Sequence, residues 1–353
     1  MARRIQTGKQ KVITRLMKKQ KRILIVRPDR IGDVVLSTPL PREIKKTFPD
    51  SFVALLLRKY TADIYVNNPY VDKIILIDDY DDGSLKSFFR KVKEIRNFRF
   101  THSLTLLPTE RLNYLLFFAG IPYRVGVGHK FYQFITFTKY VSRNKYIPLR
   151  HEADYCMDLA RKIGVQTNNL DTEIFLTEEE KSGSAEIRKK LLGGKQTLVG
   201  VHSTSGNSSA NWAPETYRVL VDKLKDRDKV KVVVTDNNVP DALKNIEGVD
   251  YPNIGKTLRK SFINFAALDF LISASTGPMH IAVALKVKTV SIFCPLTACS
   301  PKLWGPLGNE STIILPEENY CSKVCPGDPK KCTFEGKGGI DTGKLLNELK
   351  KFL

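Results

Sequence analysis

The sequence predicts an α/β protein built as two domains. Aliphatic runs of strand length alternate with charged stretches of helical period along the whole chain, the pattern of strands and helices taking turns in layers. At 353 residues the chain is long enough for two domains, each with its own core. Polar turns of small residues follow directly on several aliphatic runs, and that edge of an open α/β sheet is where ligands bind.

Residues 1–22 hold nine basic residues and no acidic one. Ile5, Val12, Ile13, Leu16 and Met17 make a loose apolar stripe if the segment is helical. It reads either as a helix lying on an anionic membrane surface or as a solvated basic tail.

The first domain is expected over 23–165. Lys21–Val26 (KRILIV) reads as a buried strand. Gly32 then ends a turn and Asp33 stands where a helix begins. Val34, Val35, Leu36, Leu40, Ile44 and Phe48 supply the apolar face of that helix, and Pro39 and Pro41 kink it. Asp33 thus lies at the carboxyl end of a strand, where it acts either as a general base or as a complement to the helix dipole.

Ser51–Leu57 and Lys73–Ile77 read as the next strands. The acidic turn Asp78–Gly83 lacks the spacing of a calcium loop and is expected to cap a helix over Leu85–Asn97. His102–Leu107 is another strand and Glu110–Gly120 an apolar helix. Tyr123–Gly126 should bring Arg124 to the same sheet edge. In the helix His151–Ile163, Ala153, Cys156, Met157 and Ala160 share a face, so Cys156 reads as packed core. A polar linker region is expected over 166–195.

The second domain is expected over 196–339. Thr197–Val201 reads as a strand, and the polar loop His202–Trp212 after it can turn N–H and hydroxyl donors toward phosphate oxygens. It lacks the lysine of a Walker loop. Helices Glu215–Leu224 and Leu258–Leu268 flank a strand at Lys231–Thr235, and a strand at Phe270–Ile272 follows. Ser275-Thr276-Gly277-Pro278 then opens a helix over Met279–Leu285, with Ser275 as its cap and Pro278 near its start. Gly277 lets a ligand approach the backbone, and the unpaired N–H groups and dipole of such a helix start suit a phosphate. An ordinary strand-to-helix turn has the same pattern. Thr289–Phe293 is a further strand. Cys321, Cys325 and Cys332, with Cys294 and Cys299 upstream, leave zinc open but lack paired CxxC spacing. A closing helix is expected over 340–353.

The balance of 57 Lys+Arg against 37 Asp+Glu, a formal charge of +20, favours anionic partners: nucleic acid, acidic lipid head groups or phosphorylated substrates. No helix-turn-helix, zinc-finger or aromatic RNA-binding signature supports the first of these. No run of about 18 apolar residues marks a transmembrane helix. The first residues lack the apolar segment of a secretory signal, so the protein is expected in the cytoplasm. Six cysteines in this length do not make a disulfide scaffold.

Together these residues resemble glycosyltransferase family 9, the bacterial ADP-heptose:lipopolysaccharide heptosyltransferases. The resemblance rests on ILIVRPDRIGDVVLSTPLPREIKKTFPD, Arg124-Val125-Gly126, His151-Glu152, the SGNSSANW loop, and STGPMHIAVAL followed by CP and by Trp304–Pro306. It runs from about Lys21 to the C-terminal helix. It implies the GT-B architecture, two doubly wound α/β domains facing across a cleft, with the C-terminal helix often crossing back to the first domain. It further implies inverting transfer in one displacement, with no cofactor and no required metal ion.

By this resemblance Asp33 is the base that takes the acceptor proton. Ser203, Thr204, Ser205, Thr276, Gly277 and His280 match donor-binding positions for a nucleotide sugar. Arg30, Arg58 and Arg124 are candidates for recognising phosphate or carboxylate on an anionic, lipid-linked glycan acceptor. Two positions depart from the pattern: Ser275 stands where the family often has Asp, and Ala210 where it often has Lys or Arg. A transferase of the same fold using another nucleotide sugar, and a nucleotide-sugar-binding homologue without activity, are the alternatives these departures leave open.

Overall fold

The computed structural model describes residues 20–78, 83–143, 146–206 and 209–350. Its first domain is a sheet of β1 (Arg22–Val26), β2 (Phe52–Leu57), β3 (Lys73–Leu76), β4 (His102–Thr105), β5 (Tyr123–Val127) and β6 (Lys139–Val141). The strand order is β3-β2-β1-β4-β5-β6, and every pair is parallel. Helices α1 (Ile31–Val35), α2 (Pro39–Thr47), α3 (Lys59–Ala62), α4 (Leu85–Asn97), α5 (Glu110–Phe118), α6 (Phe131–Ile135) and α7 (Glu152–Arg161) connect and cover it. A longer helix, α8 (Glu178–Leu192), leads to the second domain.

That domain holds β7 (Thr197–His202), β8 (Val230–Val234), β9 (Phe270–Ala274), β10 (Lys288–Ile292) and β11 (Ser311–Ile314). They too are all parallel, in the order β11-β10-β9-β7-β8. Its helices are α9 (Pro214–Lys225), α10 (Leu258–Ala266), α11 (Gly277–Ala284), α12 (Pro301–Trp304), α13 (Tyr320–Lys323) and α14 (Thr342–Leu349). A parallel sheet is covered on both faces, which is why the strands ILIV, VALLL and LVGV are aliphatic without alternation. Each sheet reverses its winding once, between β1 and β4 and between β7 and β9. Those switch points open crevices at the carboxyl ends of the strands. The two doubly wound sheets are the expected GT-B architecture.

The single kinked helix expected after Asp33 is two helices. Pro39 starts α2 in its first turn, where a missing N–H costs nothing. In the gap, the Ser37 and Thr38 hydroxyls bond the carbonyls of Val34 and Val35 at 2.7 and 2.8 Å. The linker region holds α8, opened by a capping box between Thr177 and Glu180. Its polar composition hid it, because only Ser184 is fully buried and its apolar contacts come from partly buried Ile187, Leu191 and Leu192. Residues 79–82 of the acidic turn lie outside the described residues; Ser84, not an aspartate, caps α4 by accepting from the Ser87 N–H at 3.1 Å. The apolar stripe of the N-terminal segment also lies outside them.

Over its described residues the C-terminal helix does not cross back to the first domain. Leu345 and Leu349 of α14 are buried in the second-domain core with Trp212, Tyr217 and Leu220. Contact between domains is made elsewhere. One apolar cluster runs from Ile23, Ile25, Val34 and Val125 to Phe262, Phe265, Ile281 and Ala284. Arg259 of α10 donates to the Asp63 carbonyl at 3.3 Å, to the Phe175 carbonyl at 2.7 Å and to Glu180 at 2.7 Å.

Candidate active site

Between the domains lies a cleft of about 520 Å³. Its walls are the Arg30–Asp33 segment after β1, the His202–Gly206 loop after β7, and the Ser275–His280 segment after β9. All three leave the carboxyl ends of strands that flank the two switch points.

Asp33 sits in the short helix α1, which packs against α11 of the other domain. A Cβ on Gly277 would meet Ile31 at 3.2 Å. The small residue expected to admit a ligand therefore also makes room for the Ile31 side chain of the opposite domain. Behind Asp33, the guanidinium of Arg27 is buried. One of its nitrogens donates to the Asp33 carboxylate at 3.0 Å and to Glu152 at 3.2 Å. Asp29 stands 3.6 Å from the other terminal nitrogen. Glu152, also buried, accepts from Arg143 through both oxygens at 3.0 Å. Burial is the largest influence on Asp33 and raises its pKa; Arg27 opposes it, while Asp29 and Glu152 add to it. The carboxyl ends up at about 6. That is a base poised near neutral pH, held in place by a cation that prefers its ionised form.

Across the cleft, Thr276 rather than Ser275 is the N-cap of α11, and its side chain makes no capping bond. Its hydroxyl makes only a 3.5 Å contact with the Thr204 carbonyl. The first-turn N–H groups of α11 are therefore not taken up by a side-chain cap, and the positive end of the helix faces the cleft. His280, one turn in, is buried in the cleft wall, and burial followed by nearby His151 drops its pKa to about 3. It is a neutral imidazole. His151 caps α7 by accepting the Ala153 N–H on Nδ1 at 3.1 Å, so its Nε2 carries the hydrogen that bonds the Gly305 carbonyl of the other domain at 2.9 Å.

The polar loop after β7 is oriented differently from the sequence expectation. Asp236, fully buried at the end of β8, accepts the N–H and hydroxyl of Ser203 at 2.9 and 3.0 Å. It also accepts the N–H and hydroxyl of Thr204 at 3.0 and 2.7 Å. These four donors point inward to a carboxylate instead of outward to a ligand. Thr204 and Ser205 still line the cleft, as do Thr276, Gly277 and His280; Ser203 stands behind them.

The three candidate arginines separate. Arg30 lines the cleft and, among the described residues that do, is the only lysine or arginine. Arg58 stands at the N-cap position of α3 without a side-chain capping bond and donates to the Pro28 carbonyl at 3.3 Å, outside that lining. Arg124 does not reach the sheet edge. It lies near the start of β5, buried, donating to the carbonyls of Ile121 and Thr136 and covering the Phe117 ring at 5.2 Å. Ala210 is buried in the second-domain core, so the cation expected there has no counterpart at that position.

Sequence reasoning gave no role to Arg27, Arg143, Glu152 or Asp236. Arg27 and Asp236 carry the signal that marked Asp33, a charge just past a buried strand (ILIVR, VVVTD). The pairing of Arg27 with Glu152 spans 125 residues and had no local signature. Among the described residues no group of three or more His, Cys, Asp or Glu is arranged to hold a metal ion. No described helix is long and apolar enough to cross a membrane.

Residues 89–332 match the model of glycosyltransferase family 9 (heptosyltransferase). The chain belongs to this family. A Haemophilus influenzae relative, 24% identical over 82% of this chain and 86% of its own, is named only as a glycosyltransferase. Lipopolysaccharide heptosyltransferase 2 of Escherichia coli is 22% identical over 94% of this chain and 98% of its own. Among solved structures, a family 9 glycosyl transferase of Veillonella parvula superposes with a TM-score of 0.76 at 20% identity, covering 94% of this chain and 96% of that one. The family 9 chain is thus a glycosyl transferase, and its cleft is the place where such chemistry is to be sought.

Proposed function

We propose that this family 9 transferase moves heptose from ADP-heptose to the inner core of lipopolysaccharide, on the cytoplasmic face of the inner membrane. The observation that carries the reading is Asp33, a carboxylate with its pKa near 6, facing the start of α11 across the cleft. Asp33 takes the proton of the acceptor hydroxyl as that oxygen attacks the anomeric carbon. The bond from that carbon to the diphosphate breaks, and ADP leaves with the electron pair. One displacement of this kind inverts the anomeric centre.

The charge on the departing ADP is met by the N-terminus of α11, with Thr276 and Gly277 nearest and Arg30 at the rim. Thr204 and Ser205 form the opposite donor wall, and neutral His280 offers a hydrogen bond without adding charge. With one arginine and no lysine among the described residues that line the cleft, backbone N–H groups do most of this work. The acceptor, an anionic glycan on a lipid, suits the +20 chain.

The test is ADP release from ADP-heptose with a heptose-deficient core acceptor, for the native protein and Asp33→Asn, with EDTA throughout. Turnover that survives EDTA and falls by about two or more orders of magnitude in the variant supports the reading. The buried Ala210 favours a second reading, a different nucleotide sugar, because it removes a phosphate partner from the donor loop. Thermal stabilisation by UDP but not ADP would select it.

A further inference from the structure

Three phenylalanines around α6 are unusually bare: Phe131, Phe134 and Phe137 are 77%, 75% and 84% exposed. Single exposed apolar residues need no explanation, but these belong to a continuous surface. Phe89 of α4 packs against Phe118 of α5 at 6.3 Å, and Phe118 against Phe117 at 5.5 Å. Arg124 covers Phe117 and bonds the Thr136 carbonyl, between Ile135 and Phe137. The surface therefore runs from α4 across the end of α5 to α6, with more than half of Phe89 and nearly half of Phe118 open to solvent.

The charges around it are mainly positive, with Glu110, exposed at the start of α5, the exception. From Arg111 to His151 the sequence holds no aspartate or glutamate, while Lys130 and Lys139 flank the phenylalanines. Both lysines are exposed. On α4, Lys86, Arg90, Lys93 and Arg96 are exposed, and the helix's one acid, Glu94, is held by Lys91 at 2.6 Å. A protein partner of ordinary composition would need acidic residues opposite every one of these cations. An anionic bilayer supplies negative charge everywhere and an apolar layer just beneath it, so aromatic rings can enter while lysines and arginines stay at the head groups.

We infer that the face formed by α4, α5 and α6 docks the protein on an anionic lipid surface, separately from any contribution of residues 1–19. The inference does not depend on which sugar is transferred.

Its test is sedimentation of the full chain with phosphatidylcholine vesicles and with vesicles containing phosphatidylglycerol. Four proteins are compared: native, Phe131→Ser/Phe134→Ser, Lys130→Gln/Lys139→Gln, and a chain lacking residues 1–19. The native chain and the tail-deleted chain both bind the anionic vesicles, and neither binds phosphatidylcholine alone to a comparable degree. The phenylalanine variant loses about ten-fold or more in partitioning, and the lysine variant loses several-fold at low salt. Because the altered side chains are exposed, melting temperatures stay within a degree or two of native. If the phenylalanine variant binds anionic vesicles as well as native protein does, the inference fails. It also fails if removing the tail alone abolishes binding, or if the phenylalanine change abolishes only a self-association seen by sedimentation velocity.

Discussion

A methyl group on Gly32 would stand 2.9 Å from Cδ2 of His280. The two residues belong to different domains, and the contact presses the first turn of α1, which carries Asp33, against the first turn of α11, which faces the donor side. The proposed general base and the proposed anion-binding helix start are thereby fixed to each other through a contact that tolerates no side chain.

Gly32→Ala should force these helices apart. The expected cost is about 1–3 kcal/mol of stability, the usual range for overpacking. Because misplacement of about 1 Å can cost a hundred-fold in rate, kcat/KM should fall by at least ten-fold. Melting and ADP release measured together check this; native turnover in the variant would show that the juxtaposition does not position Asp33.

The acid limb of the pH–rate profile should lie at about pH 6, with kcat/KM rising as Asp33 loses its proton and then levelling. Glu152 raises the Asp33 pKa by its charge, so Glu152→Gln should move the limb to lower pH. A limb that stays fixed in this variant would assign it to another group.

Stability should show the opposite sign to function. Asp33 is raised in the folded state from an ordinary 3.8 to about 6, so the folded protein binds this proton more tightly than the unfolded chain. The resulting penalty is fully present above pH 6 and absent below about 3.8. Asp33→Asn should therefore melt higher than native protein at pH 8, by about 1–3 kcal/mol, with the gap closing as pH falls toward 4. Denaturant titrations at pH 8, 6 and 4.5 give the comparison.

Asp236→Asn replaces a carboxylate that accepts four donors from Ser203 and Thr204 with a group that can accept on one oxygen only. The donor loop loosens, and KM for the nucleotide sugar should rise about ten-fold or more with a smaller change in kcat. Equal loss in both would point to a role in the chemical step.

Among the thiols, Cys299 lines the cleft, and its contact with Cys294 lowers its pKa to about 7. Cys156, enclosed in the first domain, is pushed up to about 12. Alkylation by iodoacetamide at pH 7 should therefore mark Cys299 well before Cys156, and ADP should slow it. Peptide mapping after short exposure reads the order.

Strands and helix starts were legible in the sequence because burial on both faces leaves long aliphatic runs and because glycine, proline and capping residues punctuate them. The same signal placed Asp33 and Thr276 at the right edge. Direction of side chains was not legible. The Ser203 and Thr204 hydroxyls looked free for phosphate until Asp236, 33 residues from Ser203, proved to hold them. Arg124 stood in a motif of the family, yet its position near the start of β5 turned it toward internal carbonyls. Helix α8 escaped because so thin an apolar stripe reads as linker.

The apolar cluster that joins Ile23 and Val34 to Phe262 and Ile281 bears on how the chain is made. Synthesis proceeds from the N-terminus, and domains generally fold as they emerge. Here the N-terminal lobe would leave the ribosome lacking part of its own core, since α10 and α11 are translated about a hundred residues after α7. Until those helices arrive, the surface that will receive them is bare. The interval in which nascent chains are most prone to stick to one another, or to need a chaperone, is thus set by the spacing of two lobes along the message.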